Sequence, residues 1–513
     1  MLKRILPIAG LAFASFAQAQ AVALDPEIAA LAQREAPAVL ETLRQLTSVD
    51  SGTNQAGVAA VAEQVERFAK GLGADVQRVT PANNVIGPNL VVTFKGTGQR
   101  RIMLMAHMDT VYVAGTAAAR PFRLDGNRAI APGIGDDKGG VAVFLHAMKL
   151  LKARGFADYE RVTLVFNSDE EQGSFGSRDL IRSQASRHDV ILSGESSGPR
   201  ETLVIGTSGA GGLRVVFRRG DRMVEEASDT VLRTRELFTQ VPETRMNWTI
   251  ARVEDTTALK DAAATITWRI KGRPSHAGVT PHLGINAVVE GALLVKRVTQ
   301  AAATMPGVRL QWRALTGGQV SNIIPDQGLA QVEIAAPNVQ EAAAALAQVG
   351  SQPGLPGAQV TVEVTPGPAP AGSGGDVFAS ADIRVPTPEA FATLTKIVRD
   401  RVEEKKFAST SLAASELLAF PPYNMNAQAR AIAETVIAIN RQLGGELEIG
   451  PRAFGATDAA WAGQSGKPVL EGFGLPGANY HSSDEEYIFA DRIPRRLALV
   501  AETIRAISRM EGK

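Results

Sequence analysis

Between residues 90 and 200, short apolar runs alternate with longer stretches whose apolar positions recur at helical spacing. "RIMLMAH" (101–107), "RVTLVFN" (161–167) and "DVILS" (189–193) read as buried strands. "VAVFLHAMKLLKARG" (141–155) keeps a period near 3.6 and reads as a helix. Strands alternating with amphipathic helices predict an α/β sheet with helices on its faces. "KPVLEGFG" (467–474) supplies a further strand near the C-terminus.

The pattern changes over 213–420, where it echoes itself. "RMNWTIARVEDTTALKDAAATITWRI" (245–270) lines up with "RLQWRALTGGQVSNIIPDQGLAQVEI" (309–334) at an offset of 64, setting Trp248 on Trp312, Leu259 on Ile323 and Ile270 on Ile334. A second echo pairs "AQVEIAAPNVQEAAAAL" (330–346) with "ADIRVPTPEAFATL" (381–394). The region counts to four strand–helix–strand units, with "TPGPAPAGSGG" (365–375) as a flexible connector before the last.

Length and composition narrow the function classes. A chain of 513 residues exceeds one ordinary core, since single cores stop growing near ~250–300 residues. Hydrophobic content of 45% with 21% charged residues is that of a globular protein. A net charge of +1 without basic runs argues against nucleic acid or a membrane surface as partner. The absence of cysteine excludes disulfides, thiolate metal sites and cysteine nucleophiles, so any metal must rest on His, Asp and Glu. At the start, Lys3 and Arg4 precede the apolar "ILPIAGLAFASF", and "AQA" ends at Ala19. This is the pattern of a signal peptide over 1–19. The apolar stretch is shorter than the ~20 residues that span a bilayer. The mature chain is therefore expected from Gln20, secreted or periplasmic and without a membrane anchor.

Candidate chemistry lies where the strands end. The run at 101–107 closes on His107 and Asp109, that at 161–167 on Asp169, Glu170 and Glu171, and that at 189–193 on Glu195, while His481 follows the C-terminal strand. Open α/β sheets bind ligands at the carboxyl ends of their strands. "GDDKGG" (135–140) adds Asp136 and Asp137 ahead of the helix. An acid there complements the helix dipole by only ~0.3–1 kcal/mol, and one carboxylate would suffice. Of the other histidines, His146 lies on the apolar helix and is expected in the core or at an interface. His188, in the polar "SQASRHD", is expected at the surface, and His282 has no assigned role.

"HMD", "GDDKGG", "SDEEQGSFGS", "SGESSG", "KGRPSHAG", "VSNIIP" and "GLPGANYHS" occur in this order. Together they resemble the zinc-dependent exopeptidase family of glutamate carboxypeptidase, aminoacylase and related dipeptidases, most closely its secreted bacterial glutamate carboxypeptidases. The resemblance implies a mixed-sheet α/β catalytic domain (20–212 and 421–513) and an inserted α+β lid (213–420), here enlarged by internal duplication. It implies two zinc ions per chain. His107 and Glu195 would hold one ion, Glu171 and His481 the other, and Asp136 would bridge them, offsetting their mutual repulsion. Asp137 would point elsewhere, after a cis peptide bond. Glu170 would be the general base, and Asp109 would hold the second ring nitrogen of His107. His276, in "SHAG", would stabilise the oxyanion, a contribution of ~3–4 kcal/mol for such donors. Arg384 would grip the substrate's α-carboxylate, with Asn322 and Thr457, the latter in "GATDAAW", lining the same pocket.

The implied activity removes a C-terminal amino acid, glutamate by expectation, from a small peptide or N-acyl amino acid. A dipeptidase or N-acyl amino acid deacylase is the near alternative, and a catalytically inactive binding relic the distant one. In dimeric members of the family the lid histidine serves the neighbouring subunit. An enlarged lid would let His276 serve its own chain in a monomer, with a homodimer as the alternative.

Overall fold

The computed structural model describes residues 23–510, except 220–221, 236–240, 255–256, 279, 319–320, 371–376, 405, 408–409 and 482–484. The expected signal peptide lies outside the described residues.

Arg101–His107, Arg161–Asn167 and Val190–Ser193 are buried along nearly their whole length. Continuous apolar runs fit such strands because both sheet faces are covered. In sheet order, Asp75–Val79, Asn89–Lys95, Arg161–Asn167, Arg101–His107, Val190–Ser193 and Val469–Glu471 form six strands. The last four are parallel, and Asn89–Lys95 runs antiparallel to both neighbours. Alternation divides the core. Leu104 and Leu164 join Leu43, Phe144 and Leu497 from the helices Pro26–Thr47, Lys138–Ala153 and Ile493–Arg509. Met103, Met105 and Val165 join Ile181 and Trp461 in a separate cluster. Parallel strands bring their carboxyl ends to one edge. His107 is in register with Asn167, so the "HMD" and "SDEE" turns emerge side by side.

Among the described residues, the lid is one antiparallel sheet of eight strands with four α-helices. In chain order these are β1 (Gly209–Arg219), α1 (Met223–Arg235), β2 (Arg245–Glu254), β3 (Ala264–Lys271), α2 (Ala287–Ala303), β4 (Arg309–Gly317), β5 (Gln327–Ala335), α3 (Val339–Gly350), β6 (Gln359–Pro366), β7 (Val377–Val385), α4 (Pro388–Glu403) and β8 (Ser411–Phe420). Across the sheet the order is β6-β3-β5-β4-β2-β7-β1-β8. Two four-stranded units follow from it. The inner unit, β3 to β6, interrupts the outer unit between its second and third strands, β2 and β7. Counted from their joint at β4·β2, both units run second, third, first, fourth strand.

Packing repeats as well. Glu226 of α1 is fully buried and accepts from the backbone N–H groups of Lys406 and Phe407 at 3.0 and 2.8 Å, beside Arg233. Glu290 of α2, 64 residues on, accepts from Gly354 and Leu355 at 2.9 and 2.7 Å, beside Arg297. Each glutamate thus ties down the loop that enters its unit's fourth strand. Trp248 and Trp312 are buried in the two second strands. The second sequence echo falls on equivalent elements, β5–α3 and β7–α4. The first does so only at its start, because Ile270 lies on a first strand and Ile334 on a third.

Candidate active site and metal centre

His107 ends its strand almost fully buried, with Nδ1 3.1 Å from the Asp109 carbonyl and 3.3 Å from its carboxylate. That contact leaves Nε2 to face the site. Asp109 also accepts from the N–H groups of Glu170 and Glu171 at 3.1 and 3.2 Å, so one carboxylate sets both the histidine and the "DEE" turn. Nε2 of His107 lies 3.0 Å from Oδ1 of Asp136 and 3.5 Å from Oε1 of Glu195. Nε2 of His481 lies 3.0 Å from Oδ2 of Asp136 and 3.0 Å from Oε1 of Glu171. Two half-sets of donors therefore meet on the two oxygens of Asp136.

Asp136 and Asp137 are joined by a cis peptide bond. Asp137 caps the helix Lys138–Ala153 through Oδ1, which accepts from the Gly140 N–H at 3.1 Å. Its Oδ2 is buried without a partner, and Asp137 groups with His107 and Glu195 as ligand-type side chains. The expectation that Asp137 points elsewhere thus holds for one oxygen only.

The electrostatics are those of crowded, buried acids. Burial raises Glu170 well above the usual carboxylate range, reinforced by Glu195, Asp458 and Glu171, and Oε1 of Glu170 is buried without a partner. Burial, with Asp136 close by, pushes Glu171 up to about 7. Burial also raises Glu195, beside Asp136, and pushes Glu471 up to about 8, beside Glu195. For His107 and His481, burial disfavours the charged ring, but the surrounding carboxylates outweigh it and hold both well above the ordinary value. Burying so many carboxylates against two imidazoles costs several kcal/mol per uncompensated ion, and divalent cations would neutralise them. The donor set is all imidazole and carboxylate, which suits zinc. These residues fit a metal centre.

The lid reaches this centre from the same chain. The His276 ring stacks on His481, with centroids 5.1 Å apart and planes inclined by 26°. Its Nδ1 accepts from the Gly278 N–H at 3.0 Å, so Nε2 carries the proton of the neutral ring. Burial holds the ring neutral, with His481 and Arg384 adding to the effect. Asn322 lies on the adjoining turn, its carbonyl accepting from Ala277 N–H at 2.8 Å. Arg384 is buried near the end of β7, where Asp382 engages Nε at 2.8 Å and Nη2 at 2.9 Å. A Cβ placed on Gly278 would lie 3.4 Å from Nε of Arg384 and 3.3 Å from the His276 ring, so the arginine sits beside the histidine despite the long insertion between them. Thr457 has a buried hydroxyl next to Asp458, whose carboxylate accepts from the Ser174 hydroxyl at 2.5 Å.

Sequence reasoning missed Glu486. Its carboxylate accepts from the N–H groups of Gly133, Gly135 and Asp136 at 2.8, 2.8 and 3.1 Å and from the Tyr112 hydroxyl at 2.8 Å. It thereby anchors the loop carrying Asp136. A second run of three acids, in "HSSDEEY", was the available signal. His146 is in the core as expected, held by Glu35 and Thr42 at 2.6 and 2.8 Å. His188 is not at the surface: it is buried between the Gln184 carbonyl and the Thr163 hydroxyl, at 2.6 and 2.9 Å. His282 is exposed.

The chain is similar to known proteins along most of its length. Carboxypeptidase G2 of Pseudomonas sp. (strain RS-16) is 34% identical over 472 residues, covering 92% of this chain and 89% of that protein. The fold is similar to that of the yeast dipeptidase Dug1p from Saccharomyces cerevisiae (TM-score 0.57, 12% identity, 94% of this chain and 98% of that one). It is also similar to human carnosine dipeptidase 1 (TM-score 0.54, 13% identity, 94% and 99%) and to the metallo-carboxypeptidase Sso-CP2 of Sulfolobus solfataricus (TM-score 0.54, 13% identity, 93% and 99%). The profile of Peptidase family M20/M25/M40 matches residues 103–506, and with its imidazole–carboxylate centre under a lid the chain belongs to this family of metallopeptidases.

Proposed function

We propose that the protein is a secreted carboxypeptidase with two zinc ions that releases a C-terminal amino acid, glutamate by preference, from peptides or N-acyl amino acids. One observation carries the reading: Asp136 offers one oxygen to each of two half-sets, His107 with Glu195 and His481 with Glu171, while Glu170 stands buried and unpaired beside them. The likeness to a carboxypeptidase along most of the chain supports it. Zinc, when bound, supplies Lewis-acid activation of water and of the scissile carbonyl. Glu170 takes the proton of the attacking water and passes it to the leaving nitrogen. The Nε2 proton of His276 donates to the developing oxyanion. Arg384, held in plane by Asp382, binds the α-carboxylate, and Asn322 and Thr457 orient the rest of the substrate. The enzyme acts as a monomer, because the inner lid unit supplies His276 to its own chain. The shared strand order of the two units supports a lid enlarged by duplication.

A panel of substrates with one N-acyl group and varied C-terminal residues tests the activity. Glutamate derivatives should be cleaved fastest, a chelator should abolish turnover, and zinc should restore it. Preference for dipeptides with a free N-terminus would favour a dipeptidase instead.

A further inference from the structure

His276 reaches the metal ligands on a turn held from several sides, and one side chain touches those sides together. Arg245 opens β2 of the outer unit, and its Nη1 donates to the carbonyl of Gly278, two residues beyond His276 in the inner unit. The same guanidinium lies 3.7 Å from the centre of the Phe454 ring, in the catalytic domain. Gly278 itself is clamped: a Cβ there would come within 2.7 Å of the Phe454 carbonyl. Its N–H is the group that fixes Nδ1 of His276. Arg245 thus joins outer unit, inner unit and catalytic domain at the turn that aims the histidine.

Its place in the sheet makes the choice of residue informative. Arg245 is the cross-strand partner of Arg384, and like charges directly opposite are destabilising. Here Asp382 offsets the charge of Arg384, while Arg245 has a carbonyl and an aromatic face, both good partners for a guanidinium. The twin position supplies a contrast. Arg309 opens β4 of the inner unit 64 residues later, yet it is exposed and pairs with Asp261 at the surface.

We propose that Arg245 is a positioning residue that locks the His276 turn against the catalytic domain, so that Nε2 of the ring faces the reacting carbonyl. This rests on the oxyanion role assigned to His276 above. Without Arg245 the turn loses its anchor, and a misplacement of about 1 Å costs up to ~10²-fold in rate. Ground-state binding and metal affinity use other groups and stay as they are.

The test is a double-mutant cycle in the zinc-loaded enzyme, read as kcat, KM, zinc content and Tm. Arg245→Ala should lower kcat ~10- to 100-fold with KM within about twofold. His276→Ala should lower kcat ~10²–10³-fold. The double variant should match His276→Ala within about twofold, because the arginine acts only through the ring. Arg245→Lys should recover part of the loss, and Arg309→Ala should behave as wild type. Losses that multiply in full in the double variant overturn the proposal, as does a raised KM at unchanged kcat, which would place Arg245 on the substrate. Should Arg245→Ala lose zinc or melt early, the same cycle is read with Arg245→Lys. Unchanged kcat in His276→Ala would instead remove the oxyanion role, a separate failure visible in the single variant.

Discussion

Mixing two inactive variants decides whose metal centre His276 serves. The ring stacks 5.1 Å from His481 of its own chain, so removing it should delete a preorganised donor, ~10²–10³ in kcat. Removing the general base in Glu170→Ala should cost at least ~10². If the histidine acts within its own chain, every site in a mixture lacks one group or the other, and activity stays at or below about 1% of wild type. If it acted across a two-fold dimer, random exchange of subunits would restore about a quarter of the sites. The two outcomes differ at least ~25-fold. Geometry favours the first. β2 and β4 are the second strands of their units and pair antiparallel, Val253 with Leu315 and Glu254 with Ala314, as copies of one surface do about a two-fold axis. On the proposed monomer reading, the inner unit occupies the edge a partner would use. The assay co-expresses the two variants with different tags, measures hydrolysis and records the sedimentation mass. Recovery near a quarter, at a mass near two chains, refutes the reasoning.

Glu170→Gln should keep its zinc and lose at least ~10² in kcat; full activity would remove it from proton transfer. Asp136→Ala should release both zinc ions in dialysis, whereas His481→Ala should release one before the other, read by elemental analysis; two retained ions in Asp136→Ala would refute the bridge. His188 gives a pH prediction away from the metals. Burial holds its folded pKa down at about 4, below the ~6.5 of an unfolded histidine. The neutral ring thus contributes stability that is present above pH ~6.5 and lost as pH falls towards about 4. His188→Gln should be the less stable protein at neutral pH, and its deficit in urea unfolding should shrink by about 2 kcal/mol between pH 7.5 and 5. A deficit independent of pH would refute that account.

Candidate metal donors were legible in the sequence because they are local features of it. A buried strand shows as an unbroken apolar run, its end is the next polar residue, and a chain without cysteine leaves only imidazole and carboxylate for a metal. The α/β architecture follows from that, as does a pool of strand-end candidates that holds His107, Asp109, Asp169, Glu170, Glu171 and Glu195. The choice of His107, Glu171, Glu195 and His481 among the acids and histidines came from the family resemblance. The "SHAG" and "SNIIP" turns were likewise readable. Their meeting with Arg384 was not, because β5, α3 and β6 lie between Asn322 and β7 in the chain. Only the nesting of one lid unit inside the other brings Arg384, held by Asp382, back beside His276.

Tertiary structure decided the rest. Strands of one lid unit share a period of two and an Ala- and Val-rich composition, so the sequence echo set Ile270 against Ile334 although they occupy different places in the unit. Polar neighbours made His188 look exposed, but its ring is buried against Thr163 of another strand. Glu486 looked like one more loop acid until folding brought it beneath the Asp136 loop, 350 residues away. Which oxygen of Asp136 faces which histidine, and which arginine braces the His276 turn, depend on pairings between segments far apart in the chain. Local pattern encodes the type of element and the donors at its end; only the packing of distant elements fixes which donors meet, because that choice is made by the burial of whole faces and not by any one residue's neighbours in sequence.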